Sequence, residues 1–495
     1  MLPANLPVLS LTIWCPIIFG ILILLAGKRT SPAVSRYIAL IGSVLSLVIS
    51  LLLVAGFDSS ISGMQFVEKV TWIERFQICY SLGIDGISLW LVVLTAFILC
   101  IVVLSAWHSD KTDLAQYLGA FLILSGLMSG TFCALDGLLF YALFEATLVP
   151  MFIIIGVWGG EKRIPAAFKF FLYPFFGSLF MLVSIIYLYI QTGNFDIFAW
   201  QAYPLALHIQ IPLFIGFLLA FGIKLPMWPV HTWLPDAHVE ASTEGSVVLA
   251  AIMLKLGGYG FIRFMLPITP DACRYMADYM IILSLIAIVY IGFIAMVQKD
   301  MKKLVAYSSI VHMGFVTMGF FLFQQVTVEG AMIQMISHGF VSSALFLCIG
   351  ILYERTHSRQ IADYGGVVNT MPRFATLFVL FAIGNCALPG TSGFVGEFMV
   401  IIGMVKANFW LGALTASTLV LGAAYSLWMV KRVVFGPVEN EQVARLRDIS
   451  RREFFILGIL ALFVILIGVY PAYLIETMQH SIRDLLLQVA ASKLP

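Results

Sequence analysis

The sequence predicts an all-α polytopic membrane protein of about 14 transmembrane helices, containing two five-helix inverted repeats and two broken helices. Three observations carry the fold class. The 495 residues are 61% hydrophobic and 11% charged, with a mean hydropathy of +1.00, whereas a soluble protein is roughly 45–50% apolar and 25% charged. Apolar runs of about 20 residues, the length that crosses a bilayer, recur along the whole chain. Lys and Arg crowd into alternate connections, as cytoplasmic loops require. A soluble globular enzyme is excluded.

The runs fall near 9–26, 36–57, 84–107, 114–135, 137–158, 166–191, 211–230, 246–266, 277–297, 303–323, 330–353, 373–404, 409–433 and 452–476. The first has neither a basic leader nor a small-residue cleavage pattern, so it reads as a retained helix and not a signal peptide. The longest polar stretches, 58–83, 192–210 and 434–451, are too short for an independent domain. The chain therefore reads as one membrane domain over 1–495. N-terminal helices occupy 1–110, five-helix groups occupy 114–266 and 277–433, and a last helix occupies 452–476.

Of the 28 Lys and Arg residues, 18 lie in odd-numbered loops, among them Lys28, Arg29, Lys302, Arg355 and Arg359. Six lie in even loops and termini: Lys69, Arg75, Arg274, Lys406, Arg483 and Lys493. This split places both termini away from the cytoplasm, on the periplasmic side of a bacterial inner membrane, or away from the matrix if the membrane is mitochondrial. The net charge of +2 supplies no field for nucleic acid. The seven Cys are scattered without a CxxC, which supports neither a disulfide framework nor a cluster ligand set. No Gly-rich nucleotide loop and no metal-ligand spacing is present.

Four basic residues remain inside apolar runs: Lys169, Lys224, Lys255 and Arg263. Lys169 and Arg263 lie about one turn from a helix end, where a long side chain snorkels to the interface. Lys255, in LAAIMLKLGGYGF, is too deep for that and needs a protein partner or internal water. Lys224 directly precedes Pro226 and Pro229, which remove amide donors and break the helix. Glu145 lies mid-run, and Glu397 follows a second interruption at Leu388-Pro389-Gly390-Thr391-Ser392-Gly393. His312 and His338 are also mid-run. A buried charge costs at least about 2.5–3.5 kcal/mol by insertion scales, so these six groups are expected to pair around shared water. Asp136, at the start of the Glu145 run, reads as an N-cap. Pro226 and Pro389 occupy corresponding helices of the two five-helix groups, the mark of internal repeats, and an odd helix number per repeat inverts the second.

These residues sit in stretches that are familiar as a set: FEATLVPMFIIIGVWGG (144–160), AAFKFFLYPFFGSL (166–179), FGIKLPMWPVHTWLPDAHVEASTEGSVVLAAIMLKLGGYG (221–260), AYSSIVHMGFV (306–316), MISHGFVSSALFL (335–347) and LPGTSGFVGEF (388–398). They resemble the antiporter-like membrane subunits of respiratory NADH:quinone oxidoreductase, complex I, from about Leu82 to Phe435. Within that family the chain is most similar to the M branch, the mitochondrial subunit 4 type, because Glu397 stands where other branches usually carry Lys.

The resemblance implies a proton-translocating subunit. Lys224 is then the central protonatable residue and Glu145 its charge partner. Lys255, His312 and His338 relay along a polar axis, and Glu397 is the exit-side carrier. It also implies no cofactor in this chain, with NADH, FMN, iron–sulfur clusters and quinone in partner subunits. The implied partners are L-type and N-type membrane neighbours, a peripheral redox arm and the lipid membrane, with no nucleic acid. Alternatives are a D-type subunit of a multisubunit cation/proton antiporter, a subunit of an energy-converting hydrogenase, and a structural spacer in which the six groups are only ion pairs.

Overall fold

Backbone amides and carbonyls have no water to bond inside a bilayer, so the apolar runs must fold as helices, and their ends fall where caps are available. The computed structural model describes residues 6–27, 31–109 and 111–494. The loop cations Lys28 and Arg29 lie outside the described residues. In chain order the elements are α1 (Val8–Ala26), α2 (Pro32–Gly56), β1 (Gln65–Ile73), β2 (Ile78–Ile84), α3 (Gly86–Ser105), α4 (Leu114–Cys133), α5 (Gly137–Ala146), α6 (Leu148–Trp158), α7 (Arg163–Thr192), α8 (Ile197–Ala202), α9 (Leu207–Lys224) and α10 (Trp233–Glu240). There follow α11 (Thr243–Ile268), α12 (Ala277–Met296), α13 (Met301–Phe321), α14 (Gln325–Thr356), α15 (Pro372–Asn385), α16 (Ser392–Ala407), α17 (Phe409–Val434), α18 (Arg451–Val469) and α19 (Ala472–Ala490).

Thirteen spans among the described residues are long and apolar enough to cross a membrane, with α5 and α6 counted as one kinked span. Each matches one apolar run of the sequence. The remaining run, 373–404, is the interrupted pair α15 and α16. The N-caps are mostly Asp, Ser and Asn, whose side chains bond the free amides of the first turn: Asp85 for α3, Asp136 for α5, Asp300 for α13, Asn408 for α17 and Ser450 for α18. Asp136 thus has the cap role expected of it. Its Oδ1 accepts from Leu138 and Leu139 at 3.0 Å each.

The chain forms two compact units. The first comprises Met1–Leu225, Ile252–Ala277 and Glu476–Pro495. In it α1 packs on α4 and α2, and α7 packs on α9 and α6. The antiparallel hairpin β1–β2 occupies a stretch that reads only as polar loop in the sequence. Its Glu68 caps α1 from a distance, accepting from Leu9 N at 2.8 Å and Ser10 N at 3.1 Å. A rim of main-chain bonds joins the even-numbered connections. Leu135 N donates to Ser81 O (2.8 Å), Gly137 N to Phe195 O (2.7 Å), Ile197 N to Leu135 O (3.2 Å) and Leu205 N to Lys493 O (3.0 Å). Beyond the last helix expected at 452–476, the chain continues into α19. It is amphipathic: Met478, Ile482, Leu485 and Val489 are buried, while Glu476, Arg483 and Asp484 are exposed.

The second unit comprises Pro226–Ala251 and Asp278–Ile475. Helix α14 is its axis, packed by α13, α15, α16, α18 and the start of α11. Odd-numbered connections meet at one end. Met301 N donates to Arg359 O and Ile361 N to Lys299 O (3.0 and 2.9 Å), and Arg355 binds both oxygens of Glu453 at 3.0–3.1 Å.

Candidate functional site

In the first unit, α9 stops at Lys224 because Pro226 and Pro229 remove the amides that would continue it. Regular helix resumes only at Trp233. The Lys224 side chain is 1% exposed. Its ammonium donates to Thr147 Oγ1 at 3.3 Å and lies 4.6 Å from the centre of the Phe144 ring. These two residues flank Glu145 in sequence. The Glu145 carboxylate is the electrostatic partner of Lys224. The break between α5 and α6 explains how Glu145 comes to face this point. Pro150 cannot donate to the carbonyl of Ala146, and the helix is interrupted at Thr147, two residues after Glu145, where Thr147 Oγ1 donates to Phe144 O at 2.7 Å.

Lys255 is fully buried in α11 between two π-helical segments, Leu249–Met253 and Phe261–Met265. Gly257 brings this helix onto the end of α9. A Cβ there would sit 2.7 Å from Phe221 O and 2.8 Å from Leu225 N. Lys224 and Lys255 thus belong to one helix pair. Lys224, buried at a broken helix end with a carboxylate partner, is a group that can hold or release a proton, and Lys255 is buried in the helix packed against that end.

Arg263 corrects an expectation. It does not snorkel: it is 8% exposed, and its guanidinium lies 2.6 Å from Asp85 Oδ2 and donates through Nε to Tyr259 Oη at 3.2 Å. A position one turn from a helix end suits either outcome, and the buried Asp85 decides it. Lys169 remains half-buried, with its ammonium 5.8 Å from the Tyr173 ring.

In the second unit, α13, α14, α15, α16 and α17 converge on His312. Its Nδ1 is 2.6 Å from Glu397 Oε1, and its Nε2 is 3.0 Å from Asn385 Oδ1. Gln334 Nε2 donates to Glu397 Oε1 at 3.0 Å and lies 3.1 Å from His312 Nδ1. Asn385 Nδ2 donates to Ser426 Oγ at 3.0 Å. The His338 ring centre is 5.5 Å from that of His312. All of these side chains are buried. The interruption between α15 and α16 positions two of them: Asn385 ends α15, and Glu397 lies in the second turn of α16.

The six sequence-derived residues therefore fall into two clusters, Glu145, Lys224 and Lys255 in one unit and His312, His338 and Glu397 in the other. Thr147, Gln334, Asn385 and Ser426 are additions. They are uncharged, so the signal that marks a charge inside an apolar run does not reach them.

The family described as NADH:quinone oxidoreductase/Mrp antiporter, TM, matches residues 134–422. The chain is 47% identical to NADH-quinone oxidoreductase subunit M of Rhodobacter capsulatus, covering 96% of each sequence. It is 45% identical to NADH-ubiquinone oxidoreductase chain 4 of Arabidopsis thaliana, again over 96% of each. Among solved structures it is similar to a chain of respiratory complex I from Thermus thermophilus with bound NADH, with a TM-score of 0.89 and 28% identity. That match covers 98% of this chain and 100% of the other.

Proposed function

The chain belongs to the NADH:quinone oxidoreductase/Mrp antiporter family of transmembrane subunits, and on that premise we propose how its buried groups do their work. It is a proton-translocating membrane-arm subunit of an NADH:quinone oxidoreductase, a multi-pass protein of a respiratory membrane complex. NADH, FMN, iron–sulfur clusters and quinone belong in this reading to partner subunits, and L-type and N-type membrane subunits are its neighbours. The membrane is a bacterial inner membrane, with both termini on the periplasmic side.

The observation that carries the mechanism is the burial of Lys224 at a broken helix end with Glu145 as its electrostatic partner. A buried ammonium is held by its counter-charge. Movement of the carboxylate away from Lys224, driven by a change in a neighbouring subunit, leaves the ammonium without that support, and its proton departs. Lys255 is the next acceptor in this unit. His312, His338 and Glu397 carry the proton in the other unit, where a 2.6 Å contact between His312 and Glu397 provides a ready transfer step. No bond other than those to the proton is made or broken, which suits a chain that contributes coupling and not redox chemistry.

The test is Lys224→Ala in the assembled complex. Expected is loss of quinone-linked turnover and proton pumping while NADH oxidation by an artificial acceptor persists. Pumping at the parent rate in this variant would overturn the mechanism.

A further inference from the structure

We infer that Asn385 is a positioning residue that latches His312 with a proton on Nε2, so that His312 exchanges protons only through Nδ1 until the end of α15 withdraws. The inference rests on the proton-translocation reading above and adds a part to it.

The Asn385 amide makes two contacts that matter here. Its Nδ2 donates to Ser426 Oγ at 3.0 Å, which leaves Oδ1 facing His312 Nε2 at 3.0 Å. Ser308 also approaches that oxygen at 3.5 Å, but its hydroxyl proton is directed to Val305 O at 2.8 Å. An amide oxygen only accepts, so Nε2 must carry a hydrogen. On the other side of the ring, Nδ1 and Glu397 Oε1 are 2.6 Å apart. Two lone pairs at that distance would repel, so one proton lies between them, held either as imidazolium with carboxylate or as neutral imidazole with carboxylic acid. Gln334 donates to the same Oε1 at 3.0 Å and supplies no mobile proton.

Both descriptions have the same net charge. The step between His312 and Glu397 therefore moves a proton over a short distance without changing the charge of the pair. Reloading is different. A relay that receives on one ring nitrogen and gives from the other needs Nε2 free to accept, and Asn385 blocks it. Asn385 is the last residue of α15, directly before the interruption that separates it from α16. Displacement of that helix end removes the block, so the break acts as the control point for reloading.

Glu397 from α16 and His338 from α14 face His312 directly, and Tyr425 from α17 and Cys386 beside the break act on Glu397. The experiment compares Asn385→Leu and Asn385→Asp in the assembled complex, reading quinone-linked turnover and pumping against pH, with artificial-acceptor reduction as the control for assembly. Asn385→Leu keeps the volume but leaves Nε2–H without an acceptor. Turnover and pumping are expected to fall about tenfold or more, the scale of one unpaired buried donor. Asn385→Asp restores an acceptor. It should recover several-fold relative to Leu and move the alkaline limb of the pH profile upward by about one unit, because a carboxylate beside Nε2 favours imidazolium.

Equal depression by Leu and Asp with an unshifted profile would reduce Asn385 to a packing residue and overturn the inference. If Asn385→Leu fails to assemble, the profile of Asn385→Asp alone decides. Glu397→Gln separates the two levels. Loss of pumping there with parent-like Asn385→Leu sinks only the latch, whereas intact pumping in Glu397→Gln and Lys224→Ala sinks the functional reading itself.

Discussion

Arg263 and Asp85 meet at 2.6 Å inside the first unit, joining the second π segment of α11 to the residue that caps α3. Removing one partner of a buried pair strands the other charge, at a cost of about 3–5 kcal/mol. Arg263→Met is therefore expected to lower the thermal inactivation temperature of the complex or to prevent assembly. Asp85→Asn added to it should recover much of the loss, since Asn still caps α3. Thermal inactivation of the single and double variants checks this. A double variant no better than the single would show that the pair has no such weight.

Thr147 supplies the oxygen that Lys224 touches, because its own proton is committed to Phe144 O. Thr147→Val keeps the shape and removes the acceptor, leaving a buried ammonium short of one hydrogen bond, worth about 1–3 kcal/mol. Quinone-linked turnover should drop about fivefold or more, with Thr147→Ser close to the parent. Steady-state turnover in membranes measures both.

Gly257 sets the approach of α11 to α9, and the atoms a methyl group would meet are main-chain atoms that cannot rotate aside. Gly257→Ala is expected to cost about 1–3 kcal/mol through the forced backbone shift and to depress pumping more than artificial-acceptor reduction. Equal loss of both would point to failed assembly instead.

The C-terminal tail carries a pH dependence whose sign is fixed by two groups outside the spans. Burial raises the Asp271 carboxyl, but hydrogen bonds from Gln210, the Lys493 amide and Ser492, with Arg274 nearby, outweigh it and hold the group below its ordinary range. Its contribution is present above the ordinary carboxylate range and is lost as pH falls through the depressed value. Burial pushes the Lys493 ammonium down to about 8, with Asp271 opposing. A released tail binds the proton more tightly than the docked one, so docking strengthens as pH rises from about 8 toward the ordinary lysine value. Amide protection at residues 491–494, taken relative to the intrinsic exchange rate at each pH, should rise over that interval and fall in acid. A flat profile through both ranges would refute the assignment.

Charge inside apolar sequence marks Glu145, Lys224, Lys255, His312, His338 and Glu397, and the prolines at 226 and 389 mark both interruptions. The neutral half of each cluster was not visible, because Thr147, Asn385 and Gln334 look like any polar residue of a membrane helix until their partners are known. The two π segments have no residue signature of their own. The β1–β2 hairpin was hidden for another reason. In its first strand Val67, Val70 and Trp72 are exposed, so no inward apolar alternation sets it apart. The face of α19 was written in the spacing of Met478, Ile482, Leu485 and Val489 and could have been read there.

The rim of main-chain bonds in the first unit has a mechanical meaning. Residues 81, 135, 137, 195 and 197 are linked by three main-chain bonds and residues 205 and 493 by a fourth, so sliding α5 along its axis would tear three bonds at once. Bending at Thr147 and at the end of α9 tears none of them. The main-chain rim thus resists sliding of α5 while leaving both helix breaks unconstrained by it, and Lys224 lies at one of those breaks.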